Sequence, residues 1–261
     1  MSTLPTLIMI FLRAGLVVFC GCLSIQSCGL DVEDSTRPSP PRWVDKSIPD
    51  EWPERGIDAI ESSEAIYLEW EENPEDDIAA YYIYRAVWNK NDNELGDFFL
   101  LAKLEAQYLE QKEYLDDQTV DVVRYYYKLR AGDDSNNLSD YSDLVYYTLL
   151  SNIRLQTMTP NAVSDTLPES RILSWQYTYT IEMENYQVTI LSELNDLIHR
   201  VTFSPGNYAG SKNEEWVIPQ NVTLVNSEIY KWRIDTAARY VSGFETSGSE
   251  SSWAYFQYFE H

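Results

Sequence analysis

Catalysis by a nucleophile, a proton-transfer pair or a bound metal needs particular side chains within reach of one another. This 261-residue chain has two histidines, His199 and His261, and three cysteines, Cys20, Cys22 and Cys28, all near the amino end. A Ser-His-Asp or Cys-His site has little to draw on, and no His or Cys spacing suits zinc. His199, followed by Arg200 and Val201, reads as a strand-end residue. Two acidic runs, Glu71 to Asp77 and Asp133 to Asn137, offer oxygen atoms of the kind calcium binds. They lack the EF-hand glycine and closing glutamate, so they read as solvated loops. No cofactor, no metal and no enzymatic activity are expected.

Aromatic side chains give a different chemistry, that of contact surfaces. Tyr82, Tyr84 and Trp88 share one parity in Tyr81-Tyr82-Ile83-Tyr84-Arg85-Ala86-Val87-Trp88. In a strand successive side chains alternate between faces, so Tyr81, Ile83 and Arg85 take one face and Tyr82, Tyr84 and Trp88 the other. Exposed rings edged by basic groups suit a protein partner or sugar rings. The structural alternative is a cross-strand ladder that stiffens the sheet.

What positions these residues is a repeat. Leu68 and Trp70 recur as Leu173 and Trp175, Tyr81 and Ile83 as Tyr186 and Val188, and Tyr125, Tyr127 and Leu129 as Tyr230, Trp232 and Ile234. Each pair is separated by 105 residues, and each segment alternates with period two. The link to the last strand is longer in the second copy, Leu144 matching Trp253 at 109. Strands are predicted near Ile57–Ala59, Ile66–Trp70, Ile78–Trp88, Phe98–Leu101, Tyr114–Leu115, Tyr125–Ala131 and Leu144–Thr148, with counterparts in the second copy. Ser204 to Gln220, with two Gly and two Pro, reads as a long loop or irregular edge.

Short strands with turns every ~8–12 residues give a Greek-key sandwich. Leu68-Glu69-Trp70, Asn73-Pro74, Asp77-Ile78-Ala79-Ala80-Tyr81 and Tyr125-x-Tyr127-x-Leu129-x-Ala131 resemble a fibronectin type III domain. The resemblance implies an all-β chain of two tandem immunoglobulin-like sandwiches, over 43–149 and, more loosely, 150–261. It implies a core tryptophan on the second strand, at Trp70. It makes Tyr125 the tyrosine-corner candidate, its hydroxyl tied to backbone a few residues upstream. Because third and sixth strands are neighbours in that family, Tyr126, Lys128 and Arg130 should lie beside Tyr82, Tyr84 and Trp88. Tyr82, Tyr84, Trp88 and Tyr126 are therefore the candidate binding surface. Sandwiches of this size offer no deep cleft.

At the amino end, Arg13 precedes the apolar run 14–23, a secretory pattern too short for a comfortable membrane span. Ile25-Gln26-Ser27-Cys28 resembles the bacterial lipobox. The resemblance implies a signal peptide over 1–27, cleavage after Ser27 and acylation of Cys28, with Gly29 at the sorting position favouring the outer membrane. Residues 28–42, rich in Pro and Ser, are expected to be a flexible tether. Net charge is −23, which repels nucleic acid phosphates. The expected partners are thus the membrane, through Cys28, and a protein, with a cell-surface polysaccharide as the alternative. The expected role is a lipid-anchored envelope spacer or protein-binding module.

Overall fold

The computed structural model describes residues 35–45, 55–61, 65–105, 112–150, 158–179, 183–204, 210–238 and 246–260. The signal-peptide, lipobox and Cys28 expectations, and His261, lie outside these residues. Every named element is a strand. The first copy contains β1 (Ile57–Ala59), β2 (Ile66–Glu69), β3 (Ile78–Asn89), β4 (Glu94–Leu95), β5 (Phe99–Glu105), β6 (Glu113–Asp116), β7 (Arg124–Asp133) and β8 (Val145–Leu149). The second contains β9 (Ile172–Tyr179), β10 (Met183–Ser192), β11 (Leu197–Phe203), β12 (Gly210–Val217), β13 (Ile229–Ala238), β14 (Ser247–Glu250) and β15 (Ala254–Gln257).

In the first copy β1-β2-β6 form one sheet and β5-β3-β7-β8 run side by side in the other. Alternation decides what lies between them. Ile66, Leu68 and Trp70 from one sheet meet Tyr81, Ile83, Tyr125, Tyr127, Leu129 and Ala131 from the other in a single buried cluster. Trp70 is 1% exposed, and its ring meets Tyr81 edge-on at 5.4 Å. The second copy repeats this arrangement. Leu173, Trp175, Tyr186, Val188, Tyr230, Trp232 and Ile234 form its core, and Trp175 meets Tyr186 edge-on, again at 5.4 Å.

Both tyrosine corners are present. Val120 N–H donates to the Tyr125 hydroxyl at 3.0 Å, and Val225 N–H donates to Tyr230 at 2.8 Å. Val122 and Ser227, two residues further on, both take positive φ, 63° and 68°. The corner is thus copied in backbone conformation as well as in sequence. With the strand order and the paired tryptophans, it makes this an all-β, fibronectin type III-like fold in two tandem sandwiches.

Three expectations gain detail from the structure. First, of the tether expected over 28–42, the described residues 36–42 lie against the first sandwich. Pro38 and Pro41 are buried there. Ser39 donates from its amide and hydroxyl to Glu75 at 2.8 and 2.5 Å, while Asn73 donates to Ser39 O at 2.8 Å. These bonds satisfy the backbone that a free tether would leave to water. Second, Ser204 to Gln220, expected as a long loop or irregular edge, contains β12, eight residues paired in register with β9. It is an edge strand, so one neighbour suffices and its polar sequence needs no apolar alternation. Third, the last strand of the second copy, β15, lies where it is expected, and an additional strand, β14, stands before it. β15 pairs Phe256 with Tyr230 as β8 pairs Tyr147 with Tyr125, keeping the 109 spacing. β14 precedes it and pairs with β13 on one side and, in parallel, with β8 on the other. That pairing joins the two four-strand faces into one ten-stranded sheet.

Candidate binding face

The outer surface of β3 and β7 follows from the same alternation that fills the core. With Tyr81, Ile83, Tyr127 and Leu129 inside, the intervening residues must face outward, and the register fixes their neighbours. Tyr82 lies opposite Arg130, Tyr84 opposite Lys128 and Ala86 opposite Tyr126. On the far side of β7, Tyr126 lies opposite Tyr146 of β8. The structure therefore brings Tyr82, Tyr84, Trp88 and Tyr126 onto one face with Lys128 and Arg130.

The rings are half-buried rather than exposed, because they pack on one another. Trp88 and Tyr126 have centroids 6.1 Å apart, and Tyr126 and Tyr146 are 5.3 Å apart. Tyr84 meets Tyr141 edge-on at 5.4 Å. Between the rings sit cations. The Lys128 ammonium lies 3.8 Å from the Tyr141 centroid and 4.0 Å from that of Phe98. Arg130 lies over Tyr141 at 4.8 Å, and Arg124 over Tyr146 at 5.0 Å. Lys103 sits over Tyr82 at 5.6 Å and pairs with Glu105 at 2.9 Å, a hydrogen bond that raises its pKa. Burial raises the Tyr84 hydroxyl pKa, with neighbouring Tyr141 adding to it.

Among the described residues, three of these cations, Arg124, Lys128 and Arg130, have no carboxylate partner and form no ion pair; π faces and, for Arg130, the carbonyl of Ser139 at 2.7 Å surround them. A cation–π contact at such a site contributes ~0.5–1 kcal/mol and does not neutralise the cation's charge.

Sequence reasoning missed Phe98, Lys103, Arg124, Tyr141 and Tyr146. Tyr146 was within reach, because its parity on the last strand matches Tyr126. Tyr141, 42% exposed, comes from the β7–β8 connection, where no periodicity announces a direction.

Beside this face, at the edge of β8, a cavity of about 410 Å³ is lined by Trp43, Val44, Asp45, Ile57, Leu144, Val145, Tyr146 and Thr246. The Trp43 indole N–H donates to Asp143 O at 2.8 Å, which fixes one wall.

The remaining candidates serve the fold. Glu75 of the first acidic run holds Ser39, and Asp133 of the second accepts from the Asn137 amide at 2.7 Å to close a turn. Among the described residues no three His, Cys, Asp or Glu gather as metal ligands. His199 lies within β11, not at its end, stacked on Trp216 of β12 at 5.5 Å; burial lowers its pKa. No helix among the described residues is long and apolar enough to cross a membrane.

Neither a protein-family model nor a curated protein sequence matches this chain. Solved structures similar to it include the FN1-FN3 domains of chicken CNTN1, 14% identical over 86% of this chain and 69% of that one, with a TM-score of 0.33. A two fibronectin type-III domain segment from chicken tenascin is 11% identical over 83% and 97%, with a TM-score of 0.30. The spore cortex lytic enzyme SleM of Clostridium perfringens is 18% identical over 44% of this chain but only 28% of its own, with a TM-score of 0.27. The fold assignment rests on this chain's own strand order and on its two corners.

Proposed function

We propose that this chain is a lipid-anchored envelope protein, held by acylated Cys28, whose tandem sandwiches carry a protein-binding face on β3, β7 and β8. A fold of this class hosts many functions, so the site has to carry the argument. One observation carries it: Arg124, Lys128 and Arg130 lie among aromatic rings with no carboxylate partner among the described residues, on a chain of net charge −23. Solvation alone does not require an acidic protein to gather its cations on one aromatic face. Interfaces are enriched in Tyr, Trp and Arg for the same reasons of area and directional charge. The rings favour a protein over a polysaccharide, since Tyr141 and Phe98 already present their faces to Lys128 rather than to a sugar.

Photo-crosslinking in intact cells tests the reading. A photoreactive residue at Tyr141 should capture a discrete partner, and one at Leu194, 82% exposed on the second copy, should not. Lys128→Ala with Arg130→Ala should abolish capture without lowering the melting temperature by more than a few degrees. Equal capture from both positions, or capture indifferent to the two alanines, rejects the face. Loss of fatty-acid label in Cys28→Ser tests the anchor separately, and a glycan array tests the polysaccharide alternative.

A further inference from the structure

Resting on that reading, we infer that the partner presents an extended acidic segment, with carboxylates at alternate positions and one apolar side chain that enters the cavity at the edge of β8. The spacing supports it. Arg124, Lys128 and Arg130 stand on β7 at positions of one parity, so the backbone positions of Lys128 and Arg130 lie about 6.6–6.8 Å apart, two strand residues, on the outer side of the sheet. A peptide in extended conformation carries its alternate side chains at the same repeat. Asp or Glu at every second position can therefore meet successive cations without either chain bending. A helix would bring its carboxylates round every three or four residues and match only one of them.

Charge complementarity selects the sign. Lys103 is paired with Glu105, but among the described residues Arg124, Lys128 and Arg130 have no carboxylate of their own; aromatic rings on their flanks lower the local dielectric, so an incoming carboxylate gains more here than on an open surface. A peptide held only by such contacts binds weakly and dissociates fast. Affinity needs a desolvated anchor, and the cavity supplies one. At about 410 Å³, with Trp43, Ile57, Leu144 and Tyr146 on its walls, it accommodates a phenylalanine or leucine side chain. Tyr146 belongs to both sites, lining the cavity while its ring carries Arg124. A segment running along β7 can thus place carboxylates on Lys128 and Arg130, and its end can turn over Tyr146 so that the apolar residue enters the cavity.

Synthetic peptides test this on the full chain, with Trp43 and Trp88 as intrinsic fluorescence reporters. The probe is a twelve-residue peptide with Glu at alternate positions and a single Phe near its end. Controls replace Phe by Ala, or every Glu by Gln. Hyaluronate serves as an acidic polysaccharide. We expect saturable binding of the Phe-Glu peptide, weakened at least tenfold by either replacement and at least tenfold by Lys128→Ala with Arg130→Ala. Leu144→Asp at the cavity rim should weaken it equally while thermal melting stays unchanged. Binding should fall several-fold between 50 and 300 mM salt. No binding of the Phe-Glu peptide, with cross-linking from Tyr141 intact, overturns this inference and leaves the protein-binding face standing. Loss of both rejects the face as well. Peptide binding that ignores Leu144→Asp overturns the anchor, and hyaluronate binding in place of the peptide transfers the face to a polysaccharide.

Discussion

Inside the first sandwich, one guanidinium nitrogen of Arg85 reaches both carboxylate oxygens of Asp116 at 2.7 Å, and Asp116 is wholly buried. Tyr127 donates to the same carboxylate at 2.8 Å, and the Arg85 guanidinium lies over Phe99 and Tyr125 at 5.2 and 5.0 Å. Burial, then the Asp116 charge, lifts the Tyr127 hydroxyl pKa well above its usual value. At the repeat positions of Arg85 and Tyr127 the second copy has Ile190 and Trp232, both fully buried, with the indole N–H donating to Pro160 O at 2.9 Å. The two copies share a fold while filling one layer of the core with opposite chemistries.

That contrast sets the first expectation. Asp116→Asn leaves Arg85 buried without a counter-charge and should destabilise the first sandwich by about 3–5 kcal/mol. Arg85→Met with Asp116→Leu removes both charges and should cost far less than either single change. A double-mutant cycle by urea unfolding measures the coupling; additive single effects would show that the pair does not act as a unit.

The tyrosine corners give a matched pair of measurements. Tyr125→Phe and Tyr230→Phe each remove one acceptor from a backbone N–H and should each cost about 1 kcal/mol. Val122 is a β-branched residue at φ 63°, a conformation that disfavours it. Val122→Asn should raise stability by up to about 1 kcal/mol. Thermal melts of the three variants suffice; a Val122→Asn protein less stable than wild type would mean that the valine side chain contributes more than its backbone strain costs.

Glu75 controls how the amino-terminal segment is held. Burial is the largest single influence on its carboxyl and acts upward, but the hydrogen bonds from Ser39 and Asn73 together outweigh it and bring the pKa from 4.5 down to about 2. A carboxylate with a depressed folded pKa contributes stability above its unfolded value and loses it as pH falls towards the folded one. Residues 36–42 should therefore stay docked above pH 4.5 and loosen progressively towards pH 2. Amide exchange of Ser39 across that range reads it, and Ser39→Ala should shift the Glu75 titration upward.

Gly248 marks the junction of the two copies. A Cβ there would lie 2.5 Å from the Tyr147 hydroxyl and 3.1 Å from Thr236 O, at the point where β14 pairs with β8. Tyr147 cannot simply move aside, being buried with its hydroxyl donating to Asp58 at 3.1 Å. Gly248→Ala should cost about 1–3 kcal/mol through overpacking and raise amide exchange at Leu150, whose N–H donates to Gly248 O. Tyr147→Phe should recover part of that loss, since it removes the clashing oxygen. An alanine variant with wild-type exchange at Leu150 would show that β14 and β8 absorb the methyl group without separating.

His199 and Trp216 close one side of the second sandwich, since β11 and β12 belong to different sheets. Burial lowers the His199 pKa below its ordinary 6.5, so the unfolded chain takes up the proton first on acidification. Stability from this contact is then complete above pH 6.5 and declines below it. Trp216→Leu should move the histidine titration, followed by NMR, back towards 6.5 and flatten the pH dependence.

The sequence by itself determined the architecture. Alternation is rewritten every two residues, so Leu68, Trp70, Tyr81, Tyr127 and their partners 105 positions on were assigned to the interior without knowing what they touch. The same parity put Tyr82, Tyr84, Trp88 and Tyr126 outside, and the family resemblance supplied the neighbouring strand and the corner at Tyr125. Tertiary structure alone decided what depends on pairs distant in the chain. The counter-charge of Arg85 lies 31 residues away on another sheet. The docking of Ser39 depends on Glu75, 36 residues on, and β14 finds β8 a whole copy earlier. Tyr141 and β12 escaped for a related reason: a connecting loop and an edge strand bury too little for the core to impose a period on their sequence.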